Sequence, residues 1–174
     1  MNDTKKKTRL VVYSGITAAL YVVLTLPAAQ FAYGPIQFRL AEVLTVLPAF
    51  SSGMIPGVTL GCFLANLLNP SSLGPVDVIG GTLATLIAGI LSGLVGKKNK
   101  FLGIIPPVIV NGLVVGAYLP YLLVDSSSSV TWQAVGLSML EVAGSEAFLL
   151  VIAGLPLIFF INKSKRIKEL LEKV

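Results

Sequence analysis

The sequence predicts an all-α integral membrane protein, a bundle of six transmembrane helices with both termini in the cytoplasm. Of its 174 residues, 55% are hydrophobic and only 12% are charged, which is too apolar for a soluble domain of this length. Twelve of the thirteen basic residues fall in three clusters that flank apolar runs. Because Lys and Arg accumulate on the cytoplasmic side of membrane proteins, the clusters predict that both termini and one central loop share that side.

The basic clusters also indicate which partners the chain has. They comprise Lys5, Lys6, Lys7 and Arg9; Lys97, Lys98 and Lys100; and Lys163, Lys165, Arg166, Lys168 and Lys173. These side chains border apolar runs and do not form a basic stripe with aromatic residues, so the net charge of +5 favours contact with anionic lipid head groups over nucleic acid.

Six apolar segments can be drawn along the chain: residues 10–32, 40–50, 55–68, 76–95, 101–124 and 132–161. The second and third are shorter than the roughly 20 residues that a spanning helix needs. They are either two short or tilted spans or one re-entrant hairpin. Both alternatives keep the termini and the central lysine loop on one side, but the hairpin would put Arg39 and Asn66 on the cytoplasmic side. We therefore prefer six spans.

The domain organisation follows from these segments. We expect one membrane-embedded domain over residues 1–174, with cytoplasmic tails at 1–9 and 163–174. The second tail has apolar residues at helical spacing with charges opposite, which predicts an amphipathic helix at the membrane interface. Those apolar residues are Ile167, Leu170, Leu171 and Val174.

Composition excludes most catalytic chemistry. The chain has no His and a single cysteine, Cys62, so no His-dependent catalytic set, no intrachain disulfide and no Cys-rich metal site can form. The segment LVGKKNK lacks the first glycine and the Ser or Thr of a P-loop. We expect no enzymatic activity, no cofactor and no metal, and any ATP hydrolysis would occur in separate subunits.

Polar side chains inside the apolar segments mark a candidate site. A carboxylate at depth costs a few kcal/mol unless it meets a partner. Arg39 can neutralise only one carboxylate, that of Glu42 three residues on, so another acid awaits a cation, a proton or hydrogen-bond donors. A small polar ligand with several N–H groups fits this pattern. The candidate residues are Arg39, Glu42, Asn66, Asp77, Asn111, Tyr118 and Glu141.

Each candidate has a structural alternative. Arg39 and Glu42 could form a purely structural ion pair, Asp77 could favour a helix N-terminus through the helix dipole, and Tyr118 could belong to an interfacial aromatic belt. Glu146 lies deeper in the sixth segment, and either it or Glu141 could be the protonating group of a stand-alone ion-coupled carrier.

Small residues four apart recur on several segments and predict close helix contacts. On the first segment they form the pairs Ser14/Ala18 and Gly15/Ala19. Because this segment also has a long smooth face, its pairs could contact another protein.

Three runs resemble a known family. IQFRLAEVLTVLPAF (36–50), GCFLANLLNP (61–70) and DVIGGTLATLIAG (77–89) are similar to the QueT family, substrate-binding S-components of energy-coupling-factor transporters assigned to queuosine precursors. The similarity covers essentially the whole chain, and QFRLAE is its most specific part. It implies a six-helix bundle in a prokaryotic cell membrane with cytoplasmic termini and a pocket near the outer surface.

The resemblance also implies partners and a substrate. Such S-components dock through small residues of the first helix onto a transmembrane coupling subunit that is shared with two ATPase subunits, and both pairs named above match the docking motif. A 7-deazaguanine base would present a donor edge to one carboxylate, and an aminomethyl precursor would present a cationic amine to a second. Another vitamin such as cobalamin is the alternative substrate, and a purely structural membrane subunit would leave Glu42 and Glu141 unexplained.

Overall fold

The computed structural model describes residues 3–28, 38–69, 73–124 and 129–172, and every regular element in these ranges is helical. The main elements, in chain order, are α1 (Asp3–Thr25), a 3₁₀ segment (Leu40–Ala49), α2 (Ile55–Leu68), α3 (Pro75–Gly96), α4 (Ile105–Leu123), α5 (Trp132–Leu149), α6 (Leu155–Lys163) and α7 (Lys165–Glu172). The predicted outer connections at 33–39, 69–75 and 125–131 lie wholly or partly outside the described residues.

Four helical stretches are long and apolar enough to cross a membrane: Thr4–Thr25, Pro75–Gly96, Lys100–Leu123 and Trp132–Lys163. They correspond to the first, fourth, fifth and sixth predicted segments. The last is interrupted by a π-helical turn at Leu150–Gly154. The prediction of an all-helical, multi-pass protein is confirmed, whereas the count of six spanning helices stays a prediction.

The second predicted segment is not an α-helix. Leu40–Ala49 forms a 3₁₀ helix with Pro48 inside it. A 3₁₀ helix rises about 2.0 Å per residue against 1.5 Å in an α-helix, so ten residues reach about 20 Å in place of about 15 Å. This short segment therefore spans a greater distance in the bundle than an α-helix of ten residues would.

Two glycines of α2 lie in its contact with α1. Gly57 of α2 lies against Ser14 and Thr17 of α1, and Gly61 lies against Ala18 and Tyr21, so these two helices run parallel. Their close packing depends on the glycines, because a Cβ on Gly61 would lie 2.5 Å from the Tyr21 Cβ.

One end of the bundle collects the residues that adjoin the three basic clusters. Tyr13, Phe50, Ile104, Ile161 and Ile167 share one hydrophobic cluster, although they come from all parts of the chain. Leu171 of α7 also packs there, whereas Leu170 is exposed. The chain therefore brings both terminal regions and the Lys97–Lys100 turn to the same end.

The small residues of α1 divide between two faces. Ser14 and Ala18 are buried against α2, whereas Gly15 and Ala19 are exposed and a Cβ on Gly15 would meet no atom within 4 Å. Only the second pair is open to a contact outside the bundle.

Candidate ligand-binding site

A buried arginine organises the half of the bundle that lies away from the lysine-rich end. Arg39 is 4% exposed, and it donates from Nη1 to Asn66 Oδ1 at 3.0 Å and from Nη2 to Asp77 Oδ2 at 3.4 Å. Tyr118 donates its hydroxyl to the other Asp77 oxygen at 2.8 Å. The network therefore ties the start of the 3₁₀ segment to α2, α3 and α4.

A glycine makes room for this network. The Asn66 amide donates to the backbone oxygen of Asp77 at 3.2 Å, across the α2–α3 contact. A Cβ on Gly81 would lie 2.8 Å from that amide nitrogen, so a larger residue at position 81 would push Asn66 away. The absence of a side chain on one turn of α3 thus allows the amide to reach both Arg39 and Asp77.

Glu42 is held from α1. Tyr21 is fully buried and donates its hydroxyl to Glu42 Oε1 at 2.5 Å. Short hydrogen bonds from a hydroxyl to a carboxylate are typical of charge-assisted pairs. Glu42 lies in the first turn of the 3₁₀ segment, one turn after Arg39, and the arginine charge acts on it as well. As predicted, Glu42 lies near Arg39. The salt bridge that the described residues show for Arg39, however, is with Asp77.

A small cavity lies below the Arg39 network. Each of four elements contributes two residues about one turn apart: Arg39 and Glu42, Gly81 and Thr85, Asn111 and Val115, and Val142 and Glu146. The remaining space, about 10 Å³, holds about one water molecule. A ligand as large as a bicyclic base therefore requires these side chains to move apart.

Two carboxylate oxygens in this cavity are unsatisfied. Glu42 Oε2 and Glu146 Oε1 are buried without a hydrogen-bond partner among the residues that the structure describes. The Asn111 side chain interacts with both carboxylates. Because an unpaired buried polar group is costly, the cavity favours a ligand that brings donors or positive charge.

The charge balance supports the same conclusion. The cavity and the network above it contain three carboxylates, those of Glu42, Asp77 and Glu146, and one guanidinium, that of Arg39. Both Asp77 oxygens are engaged by protein groups, so the acid surplus falls on the two glutamates. In the described ranges, no group of three or more acidic, Cys or His side chains is arranged to hold a metal ion.

The structure brings six of the seven sequence-predicted residues together. Arg39, Glu42 and Asn111 line the cavity, and Asn66, Asp77 and Tyr118 form the network that holds the arginine. Glu141 does not join them. It lies in a separate cleft between α4 and α5, beside Leu119, Pro120 and Ser138.

Sequence reasoning missed Glu146 as a site residue, and Tyr21, Gly81 and Thr85 altogether. For Glu146 a signal exists in the sequence. The buried face of α5 follows helical spacing through Val135, Ser138, Val142, Glu146 and Leu149. Glu141 precedes Val142 by one residue and does not belong to this buried face. Its depth along the helix therefore did not indicate whether it faces the cavity. Tyr21 carries no comparable signal, because a tyrosine in an apolar helix fits a membrane interface equally well.

Comparison with known proteins gives a consistent assignment. A family model described as "QueT transporter" matches residues 11–163. The chain is 45% identical over 85 residues to a "Queuosine precursor transporter QueT" of Lactococcus lactis subsp. cremoris (strain MG1363). That match covers 48% of this chain and 48% of the relative, so it spans about half of each protein. No solved structure matches the chain.

The Arg39 network predicts a strong stability effect. Arg39→Gln removes the charge that faces Asp77 and leaves that carboxylate buried and uncompensated, so we expect a loss of about 3–5 kcal/mol in unfolding free energy. Asp77→Asn in the same background removes the stranded charge but keeps an acceptor for Tyr118, and it should recover part of the loss. Thermal unfolding of the four proteins in detergent measures the coupling. Additive losses from the two substitutions would contradict the pairing.

Proposed function

The chain belongs to the QueT transporter family, and from this premise we propose that it is the membrane-embedded substrate-binding subunit of an energy-coupling-factor importer for a queuosine precursor. Membership of a transporter family implies a non-enzymatic role. The observation that carries the proposal is the pair of carboxylate oxygens, Glu42 Oε2 and Glu146 Oε1, that face one buried cavity with no hydrogen-bond partner in the described part of the chain. The name of the Lactococcus lactis relative supplies the substrate class.

The chemistry of a 7-deazaguanine base suits this cavity. Its ring N–H and exocyclic amine form a donor edge that one carboxylate accepts in a bidentate manner. Its carbonyl oxygen accepts from a donor such as the amide of Asn111. In the aminomethyl form, a cationic amine neutralises the second carboxylate. An anionic vitamin would instead add negative charge to a site that already has more carboxylates than guanidinium groups.

Within this proposal the side chains have separate roles. Glu42 and Glu146 accept from the ligand, and Asn111, which interacts with both, offers an amide between them. The frame is held by the hydrogen bonds among Arg39, Asn66, Asp77 and Tyr118. The earlier expectation for Glu141 is replaced by Glu146, because only the latter faces the cavity.

The size of the cavity disfavours cobalamin. The cavity has space for about one water molecule, so even a flat bicyclic base requires the four lining elements to move apart. A corrin ring with its nucleotide loop is many times larger and would require the bundle to separate.

A partner-docking face on α1 supports the S-component role. Of the four long apolar stretches, the one in α1 has the smallest buried share, 22% against 33–50% in the others. Its exposed face carries Gly15 and Ala19 one turn apart, which allows another helix to approach closely. We assign to this face the transmembrane coupling subunit, which the two ATPase subunits would energise.

The same proposal sets location and orientation. The relative is bacterial, and we place this chain in the plasma membrane of a prokaryote. The end of the bundle that carries the termini and the Lys97–Lys100 turn then faces the cytoplasm, as the positive-inside rule requires. The Arg39 network and the cavity lie toward the outer side.

One observation favours a second candidate. Glu146 is a buried carboxylate with an unsatisfied oxygen, as expected for the protonating group of a stand-alone carrier. Reconstituted vesicles separate the two functions: uptake driven by a proton gradient without any ATPase module would support the carrier, whereas strict dependence on ATP and the coupling module supports the S-component.

The first prediction of this proposal concerns the two glutamates. Replacing a carboxylate by its amide exchanges one acceptor oxygen for a donor, which then opposes the donors of the ligand. Since a hydrogen bond to a charged group is worth roughly 1.5–3 kcal/mol, Glu42→Gln and Glu146→Gln should each weaken binding of the deazaguanine about ten- to a hundredfold. Calorimetric titration of the purified protein measures the change.

Glu141→Gln is the matched control, because Glu141 lies on the same helix as Glu146 but outside the cavity. It should bind as the wild type does. Equal weakening by Glu141→Gln and Glu146→Gln, or no change in either cavity variant, would remove the cavity from the proposal.

The second prediction tests docking. Gly15→Leu adds bulk to the exposed face of α1, where no atom lies within 4 Å of the added Cβ. Ligand binding by the isolated protein should survive, while co-purification with the coupling subunit and uptake are lost. Ala18→Leu, on the buried face, should instead destabilise the protein itself. Full uptake by Gly15→Leu would rule out this docking face.

The third prediction tests orientation. In a Cys62→Ala background, Asn99→Cys in the turn after α3 should react with a membrane-impermeant thiol reagent only from the cytoplasmic side. Gln133→Cys, exposed in the first turn of α5, should react from outside intact cells. Labelling of position 99 from outside would invert the proposed orientation.

A further inference from the structure

A second cavity lies at the opposite end of the bundle from the Arg39 network. It has a volume of about 350 Å³ and lies between the end of the 3₁₀ segment, the start of α2 and the last turns of α3. Its lining residues are Pro48, Ala49, Phe50, Ser51, Ser52, Ile55, Ile90, Gly93, Leu94, Lys97 and Lys100. None of these residues takes part in the proposed substrate site, so the groove needs a separate explanation.

One side of this groove is basic and rich in donors. Lys97 is exposed at its rim, while the Lys100 ammonium donates to the Ala49 oxygen at 2.7 Å and lies 5.5 Å from the centre of the Phe50 ring. These contacts fix one positive charge at the wall. Ser51 Oγ accepts from Gly53 N at 3.2 Å, so the proton of its hydroxyl stays available for an acceptor. This side matches an anionic group with several acceptor oxygens.

The other side of the groove is apolar and continues along the membrane-facing surface of α3. Ile90 and Leu94 line the groove and are 45% and 55% exposed. Exposed apolar residues follow the same face at helical spacing over the whole length of the helix: Val76, Ile79, Leu83, Ile87, Ile90 and Leu94. The 22 residues of α3 span about 33 Å, so this apolar face extends from the groove across the hydrocarbon layer.

We propose that the groove binds the phosphate headgroup of an anionic phospholipid whose acyl chains lie along this face of α3. The headgroup phosphate meets Lys97, Lys100 and the Ser51 hydroxyl, and the first methylene groups of the chains cover Ile90 and Leu94. A basic pocket between helices at the lysine-rich end of a membrane protein is the kind of site that takes anionic lipid headgroups. A soluble anion would use the basic side but leave the apolar side uncovered.

Native mass spectrometry of the detergent-purified protein tests the proposal, with phosphatidylglycerol and phosphatidylcholine of identical acyl chains as probes. Both headgroups contain a phosphate, but choline adds a cation that Lys97 and Lys100 repel, so the wild type should retain phosphatidylglycerol about tenfold more strongly. Lys97→Gln should reduce that preference to near unity. Lys98→Gln, a neighbouring lysine that does not line the groove, should retain it.

Gly93→Val tests the shape of the groove without changing any charge. A Cβ at this position lies 3.4 Å from the Pro48 oxygen, which is tight but needs only a small shift, and the added methyl groups would occupy the groove. The variant should elute as a folded protein and lose the lipid preference.

Three results would overturn the proposal. Equal retention of both lipids by the wild type would show that the groove does not select charge. Equal losses in Lys97→Gln and Lys98→Gln would show a general attraction of the lysine-rich surface. Displacement of phosphatidylglycerol by inorganic phosphate would assign the groove to a soluble anion.

Discussion

The buried charge of Arg39 is the constraint on which the site depends. A guanidinium at 4% exposure requires partners in the protein. Asn66 of α2 and Asp77 of α3 accept from it, and Tyr118 of α4 in turn donates to Asp77. The network joins the start of the 3₁₀ segment to α2, α3 and α4, and all of these elements except α2 also line the cavity. Helix α5 adds Glu146 to the cavity wall, so the network accounts for three sides of the cavity but not for the position of that carboxylate.

The polar groups divide by whether their bonds are complete. Asp77 has one oxygen bound by Arg39 and the other by Tyr118, and the arginine compensates its charge, so a ligand gains less there than at a carboxylate with an unpaired oxygen. Glu42 has one oxygen bound by Tyr21 and one unsatisfied, and Glu146 has an unsatisfied oxygen as well. A ligand with donors gains most at the two glutamates and least at the network. This difference in completeness separates the frame from the proposed binding groups, although all of them looked alike as polar residues in apolar segments.

Hydrophobic runs and breakers located the last three long helical stretches to within about two residues, since the fourth predicted segment, 76–95, compares with Pro75–Gly96. They placed the first segment at 10–32, whereas α1 begins and ends seven residues earlier, at Asp3–Thr25. The same patterns did not predict that Leu40–Ala49 forms a 3₁₀ helix, because a 3₁₀ helix has no distinctive apolar period. Its greater length per residue depends on the packing around it. For the candidate site, polar residues inside apolar segments predicted six residues that lie together in the structure. The same criterion selected Glu141, although Glu146 is the glutamate that lines the cavity. The depth of a residue along a helix follows from counting residues. Which way its side chain faces depends on whether it falls at the helical spacing of the buried residues. Tyr21 was not predictable, because its partner comes from a segment 21 residues away.

The position of Tyr21 links the cavity to the exposed face of the same helix. Its hydroxyl binds Glu42, and its Cβ packs so closely on Gly61 that no side chain fits between α1 and α2. The open pair Gly15 and Ala19 lies on this helix, from about half a turn to nearly two turns toward the lysine-rich end. Since the unsatisfied oxygen of Glu42 is Oε2, a ligand can bind it while the Tyr21 bond to Oε1 stays in place. Helix α1 therefore holds one proposed ligand-binding carboxylate through Tyr21 and presents, on its exposed face, the pair that we assign to the coupling subunit.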